Sequence, residues 1–163
     1  MINKERVIFM KSLFISLMVV FVFLSGCSGK KEEVVKFEDK NFSGMLLIQK
    51  TEDQTSSEEL TKMVTDQQKI EKILTLVEGL NVKETDADYM LAEMKAQDSY
   101  SFSFAEGEKM ESGKPAPYSF VVLNDGTFLF THKDVNSPQK PRMTIEKHKD
   151  ILKEMKDLLE VDF

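Results

Sequence analysis

The chain has 163 residues, 41% of them hydrophobic and 31% charged, with a formal net charge of −6 and a single cysteine. An acidic balance argues against nucleic acid, whose affinity rests on cationic side chains neutralising phosphates, and one cysteine excludes an internal disulfide. The length suits one domain with a core of its own, not two.

In chain order, the first eleven residues carry Lys4, Arg6 and Lys11 against Glu5, and residues 12–24 carry no charge. A basic head, a short apolar middle and a small-residue exit are the layout of a secretory signal peptide, which covers residues 1–26. As a helix rising about 1.5 Å per residue, the uncharged run reaches only ~20 Å of the ~30 Å hydrocarbon core. A permanent span has to borrow Val7 to Met10 and so draws Lys11 into the apolar layer. The cations ahead of the run hold that end in the cytoplasm, so the remainder is expected on the far side of the membrane.

Leu24-Ser25-Gly26-Cys27 closes the run and contains the cysteine. It resembles the lipobox of bacterial lipoproteins, Leu-[Ala/Ser]-[Gly/Ala]-Cys. The resemblance implies diacylglyceryl transfer to the Cys27 sulfur and cleavage between Gly26 and Cys27, which makes Cys27 the mature N-terminus. The residue types suit that chemistry. A thiolate is a strong nucleophile, small side chains at 25 and 26 let an enzyme close on the backbone, and a thiol left free in an exported protein is a redox liability. Two acyl chains, at about 0.8 kcal/mol per buried CH₂, anchor stably where one is marginal. Cleavage removes three cations and one anion, taking the net charge from −6 to −8. That charge keeps the body off an anionic membrane surface, apart from Lys30 and Lys31 beside the anchor.

Small and charged residues continue to about Asn41, so residues 27–41 read as a lipidated flexible tether and 42–163 as a single domain. Phe42 to Gln49 is an apolar run of strand length, followed by a polar loop over residues 51–57. Thr65 and Gln68 form a capping box ahead of a helix whose stripe is Ile70, Ile73, Leu74, Val77 and Leu80, with Gly79 near its end. Asp86 to Gln97 reads as a short helix capped by Asp86, or as an irregular lead-in to the next strand. Ser99 to Phe104 alternates serine with aromatic residues, which puts Tyr100, Phe102 and Phe104 on one face of a strand and leaves the other face wet. Residues 106–117 are a loop by composition.

Tyr118 to Leu123 and Thr127 to Thr131 flank Asn124-Asp125-Gly126, a hairpin signal with two competing registers. A two-residue turn pairs Leu123 with Phe128 and Val121 with Phe130. A three-residue loop with Gly126 left-handed pairs Val122 with Phe128 and Phe120 with Phe130, and is preferred because it gathers the rings on one face. A last helix starts from Thr144 as N-cap, with Glu146 in its first turn and a stripe of Ile145, His148, Ile151, Leu152, Met155, Leu158 and Leu159. The expected fold is α+β: a two-layer domain with an antiparallel sheet of about four strands and helices packed on one face.

The chemistry is sparse. His132 and His148 lack a partner at metal-ligand spacing, and no metal or cofactor is expected. The serines of residues 99–103 lack the G-x-S-x-G elbow. Asp86 and Asp88 lack the rest of a calcium loop. Glu106, Glu108 and Glu111 sit in a loop as solvated charge. One feature points to a partner: if Val121, Leu123 and Leu129 occupy a second sheet face, another protein or a second copy forming a homodimer could cover it. The competing expectation is that the tether or the 106–117 loop folds over it.

The lipobox, the Lys/Glu-rich tether and one small domain containing "IEKILTLVEGL", "SYSFSF" and "LNDGTFLF" resemble small lipoproteins of Firmicutes, the YhfM-like group. That family has no established activity, so the resemblance transfers no catalytic residue. The expected protein is a membrane lipoprotein, lipid-anchored on the extracytoplasmic face of the cell membrane. Its domain is expected to be a non-enzymatic accessory module of the envelope that binds a protein or peptide. The alternative is a small envelope hydrolase using carboxylates that the sequence does not single out.

Overall fold

The computed structural model describes residues 32–38, 40, 43–107, 116–131 and 140–163, which fall in one unit running from Lys31 to Phe163. Gly26 and Cys27, the signal peptide, His132, Glu108 and Glu111 lie outside the described residues. The strands are β1 (Glu32–Val34), β2 (Gly44–Thr51), β3 (Thr61–Val64), β4 (Asn81–Glu84), β5 (Ser99–Glu106), β6 (Ser119–Leu123), β7 (Phe128–Phe130) and β8 (Arg142–Thr144). The helices are α1 (Gln67–Val77), α2 (Ala87–Ala96) and α3 (Lys149–Leu159).

All strands join one antiparallel sheet in the order β1-β4-β8-β7-β6-β5-β2-β3. The fold is therefore α+β, with eight strands where about four were expected. The four foreseen strands are β2, β5, β6 and β7. The four added ones are three or four residues long: β1, β4 and β8 lie beyond β7 on one side of this centre, and β3 lies beyond β2 on the other. One of them, β1, lies inside the segment read as a flexible tether: Val35, just after it, is buried and exchanges backbone hydrogen bonds with Leu80 and Gly79 at 3.0 Å each. The domain thus includes residues 32–38, ahead of the expected start at 42.

Period-two alternation sorts the side chains onto two faces. On one, Leu46, Ile48, Tyr100, Phe102, Phe104, Phe120, Val122, Phe128 and Phe130 pack with the buried stripes of α1 and α3. The rings form a continuous patch, with Phe102 stacked on Phe120 at a centroid distance of 5.1 Å and Phe128 on Phe130 at 6.5 Å. On the other face, Leu123 and Leu129 pack with Met90 of α2, flanked by Met94, Val121 and Met143. Helices therefore cover both faces, and the expected two-layer arrangement becomes locally three-layered.

The hairpin adopts the three-residue loop. Val121 pairs with Leu129 and Val122 with Phe128, Gly126 has φ +88°, and its N–H donates to the Leu123 carbonyl at 2.8 Å. A left-handed glycine closing such a turn matches the right-handed twist of the strands.

Both helix starts shift from the expected caps. Asp66, not Thr65, caps α1: its Oδ1 accepts the N–H groups of Gln68 and Lys69 at 3.0 and 3.2 Å, satisfying two donors of the open first turn. Thr144 ends β8 instead of capping α3. It is buried, and its Oγ1 accepts the Phe128 N–H at 3.1 Å. The sheet has taken this hydroxyl, so α3 begins after His148 and Ile145 is left exposed. Thr144→Val keeps the shape and removes the acceptor, leaving a buried N–H unpaired. An expected loss of about 1–3 kcal/mol in urea unfolding checks this.

Candidate functional site

Three regions carry the side chains from which a site can be built. The first is the expected apolar surface. Val121, Leu123 and Leu129 do share the second face, but Leu123 is 0% and Leu129 2% exposed. Met90, on α2, packs directly against the two leucines, while residues 108–115 of the loop expected as a cover lie outside the described residues. The patch therefore belongs to the core and is not a free interaction surface.

The second region is the hairpin tip against the start of α3. The Asp125 N–H donates to Gln97 Oε1 at 3.0 Å, and Asp125 Oδ1 accepts the Thr127 N–H at 3.0 Å. Lys147 Nζ stands 2.7 Å from Asp125 Oδ2, and the His148 N–H donates to the Gly126 carbonyl at 2.8 Å. Partial burial pushes the Asp125 pKa up, but the hydrogen bonds from Lys147 and Thr127 and the lysine charge outweigh it, and the net shift is downward. The same pair holds Lys147 above its usual value. Close by, Tyr89 bonds to Glu93, which keeps the phenol protonated above its ordinary range.

A carboxylate with a depressed native pKa stabilises the fold above its ordinary value, 3.8, and that contribution disappears as pH falls through the lower native value. Asp125→Asn is therefore expected to flatten the stability profile on the acid side of pH 4, with little change in shape near neutrality. Urea midpoints measured from pH 2 to 7 read this directly, and an unchanged acid limb would remove Asp125 from the account. His148, on the expected stripe, sits at the N-cap of α3 with its ring 6.3 Å from that of Phe128 and at 70° to it. That is a packing position.

The third region is a cleft of about 450 Å³ between the segment Val34–Glu38 and the near ends of β6, β7 and β8. Phe130 and Val35 are buried beneath it, and Phe37 meets Tyr118 edge-on at 4.9 Å. Lys36, Glu38 and Arg142 contribute charge to its lining, and Arg142 Nη1 pairs with Glu33 at 2.9 Å. Such a cleft can hold an amphipathic segment by apolar contact and rim charge. Its lining hydroxyls are Ser119 and Thr131, and no histidine or cysteine stands among the described residues of the lining; His132, next to Thr131 in sequence, lies outside them.

The remaining acidic and hydroxyl candidates are dispersed. Asp86 occupies the N-cap position of α2 without a side-chain capping bond and pairs with Lys140 at 3.0 Å. Asp88 lies in the first turn of the same helix. Glu106 closes β5 opposite Gly44. Ser101 and Ser103 stand partly exposed on the second face of β5, but Ser99, expected on the same wet face, is buried. Among the described residues, no group of three or more histidine, cysteine or carboxylate side chains comes together to hold a metal ion. No helix among them is long and apolar enough to cross a membrane.

Among the strands that sequence reasoning missed, β3 forms an edge of the sheet, with Met63 56% exposed. Its only local signal is Thr61-Lys62-Met63-Val64, a short run with strand-forming residues at both ends, wedged between a polar loop and a helix cap. Set against known protein families, curated proteins and solved structures, the chain matches none of them.

Proposed function

We propose that the chain is a bacterial lipoprotein, held on the extracytoplasmic face of the cell membrane through Cys27, whose domain binds an envelope protein or peptide without catalysing a reaction. The observation that carries the anchor is Leu24-Ser25-Gly26-Cys27 at the exit of an uncharged run that follows Lys4, Arg6 and Lys11. A lone thiol at that junction is what diacylglyceryl transfer requires. The binding role is supported by an open sheet edge and by a cleft with an apolar floor and charged rim.

The start of β1 at Glu32 sharpens the geometry of such an anchor. Five Cα steps separate Cys27 from Glu32, a reach of at most about 17 Å when fully extended.

Metabolic labelling with a clickable palmitate analogue tests the anchor. The wild-type chain is expected to incorporate label and to partition with membranes, and Cys27→Ser is expected to do neither. Incorporation undiminished in Cys27→Ser defeats the lipid assignment. Turnover of generic ester or peptide substrates by the purified chain would instead favour an envelope hydrolase.

A further inference from the structure

The sheet ends in β3, and no strand among the described residues pairs with its far side. Lys50 donates its N–H to the Leu60 carbonyl at 2.8 Å. In the same register Ile48 faces Lys62 and Leu46 faces Val64, so these residues bond inward. Antiparallel hydrogen bonding alternates along a strand, which turns the N–H and C=O of Met63 outward. The Met63 side chain stands opposite Leu47 on the face away from α1 and α3.

Sheet edges are ordinarily blunted by proline, a bulge or an outward-reaching lysine. β3 contains no proline, and its register against β2 is unbroken. Its one lysine, Lys62, is committed elsewhere, donating to the Glu160 carbonyl at 2.7 Å. The opposite edge, β1, is a three-residue strand whose Glu33 is tied to Arg142.

The size of the edge decides what kind of partner fits. Four residues of strand fall far short of the roughly 1,200–2,000 Å² that a stable protein dimer buries. They match an added peptide strand, in which main-chain bonds supply affinity and alternate side chains supply choice. Charge narrows the class further. Glu58 and Glu59 are exposed immediately before β3, and Glu52 and Asp53 are exposed at the preceding turn.

We infer that the β3 edge receives an extended segment of a partner protein, with an apolar residue opposite Met63 and a basic residue against Glu58 and Glu59. This rests on the binding-module reading above and names its site and the chemistry of its partner. An antiparallel ninth strand carries an apolar residue over Met63 and Leu47 and reaches Glu59 and Glu58 four or five residues later.

The test uses the full chain in mild detergent and two fluorescein-labelled probes, Thr-Val-Thr-Val-Lys-Lys and Thr-Val-Thr-Val-Glu-Glu, read by anisotropy. The basic probe is expected to bind at least tenfold more tightly than the acidic one. Met63→Pro removes an outward N–H and no hydrogen bond to β2, and is expected to weaken the basic probe at least tenfold with the circular dichroism spectrum unchanged. Met63→Lys serves if the proline variant unfolds. Absence of binding, equal binding of both probes, or binding undiminished in both Met63 variants overturns the inference. So does a dimer in sedimentation that Met63→Pro abolishes, since it assigns the edge to a second copy. Photo-crosslinking in native membranes separates the two levels: a partner kept by both Met63 variants sinks the edge and leaves the binding module standing, whereas no partner for the wild type sinks both.

Discussion

Gly126→Ala is expected to cost about 2–5 kcal/mol, read as a lower urea midpoint at unchanged slope. Two effects add. At φ +88° a residue with a Cβ pays about 1–2 kcal/mol for left-handed backbone. A Cβ there also meets Lys149 N at 2.4 Å, His148 C at 2.7 Å and His148 N at 2.8 Å. These are backbone atoms, so no rotamer change relieves the contact, and overpacking of this kind costs about 1–3 kcal/mol. The crowding follows from the docking of α3 on the hairpin, where the His148 N–H reaches the Gly126 carbonyl. Gly79 is the control, with φ +89° and nothing within 4 Å of the added carbon. Gly79→Ala should therefore lose only the conformational part, about 1–2 kcal/mol. Equal losses at the two sites would mean that contact between α3 and the hairpin is not what demands glycine at 126.

Phe120→Ala is expected to cost a similar amount, about 3–5 kcal/mol, by opening a cavity in the middle of the aromatic patch. Phe120 is 3% exposed. Its ring centroid lies 5.1 Å from Phe102, 5.8 Å from both Phe104 and Phe130, and 5.9 Å from Phe128. Those rings come from β5 and β7, on either side of β6, so the hole cannot be closed by moving one element. Against a typical stability of ~5–15 kcal/mol, the variant keeps little reserve. Ser119→Ala, one residue away and exposed, should stay within about 0.5 kcal/mol of wild type. A Phe120→Ala loss below about 1 kcal/mol in urea unfolding would show that the patch does not act as a packed unit.

The inferred peptide edge shows why a site can escape sequence reading. Thr61-Lys62-Met63-Val64 has one apolar residue facing α1 and α3, Val64, and one facing out, Met63. Nothing in such a tetrapeptide says whether a strand lies on one side of it or on both. The same holds for β1, β4 and β8, where Glu32, Glu33, Lys83, Glu84 and Arg142 outnumber the apolar residues. Their extended conformation is imposed by the neighbouring ladder, and strand preference depends on context to that degree. The apolar patch of Val121, Leu123 and Leu129 misled for a related reason. Alternation assigned it correctly to a second face, but α2 buries only Met90 there and half-buries Met94. So weak a stripe does not announce which surface it covers.

By itself the sequence determined what depends on residues near one another along the chain. The strands of Tyr100, Phe102 and Phe104, the three-residue hairpin with its left-handed glycine, and the buried stripes of α1 and α3 all follow from side-chain period and turn chemistry. Only the tertiary structure decided the eight-strand order, the placement of α2 on the second face, the transfer of Thr144 from helix cap to sheet, and which edge stays open. Each of these is a contest between distant groups for one hydrogen-bond partner or one apolar surface. Its outcome depends on which segments meet in space, and local period and propensity carry no record of that.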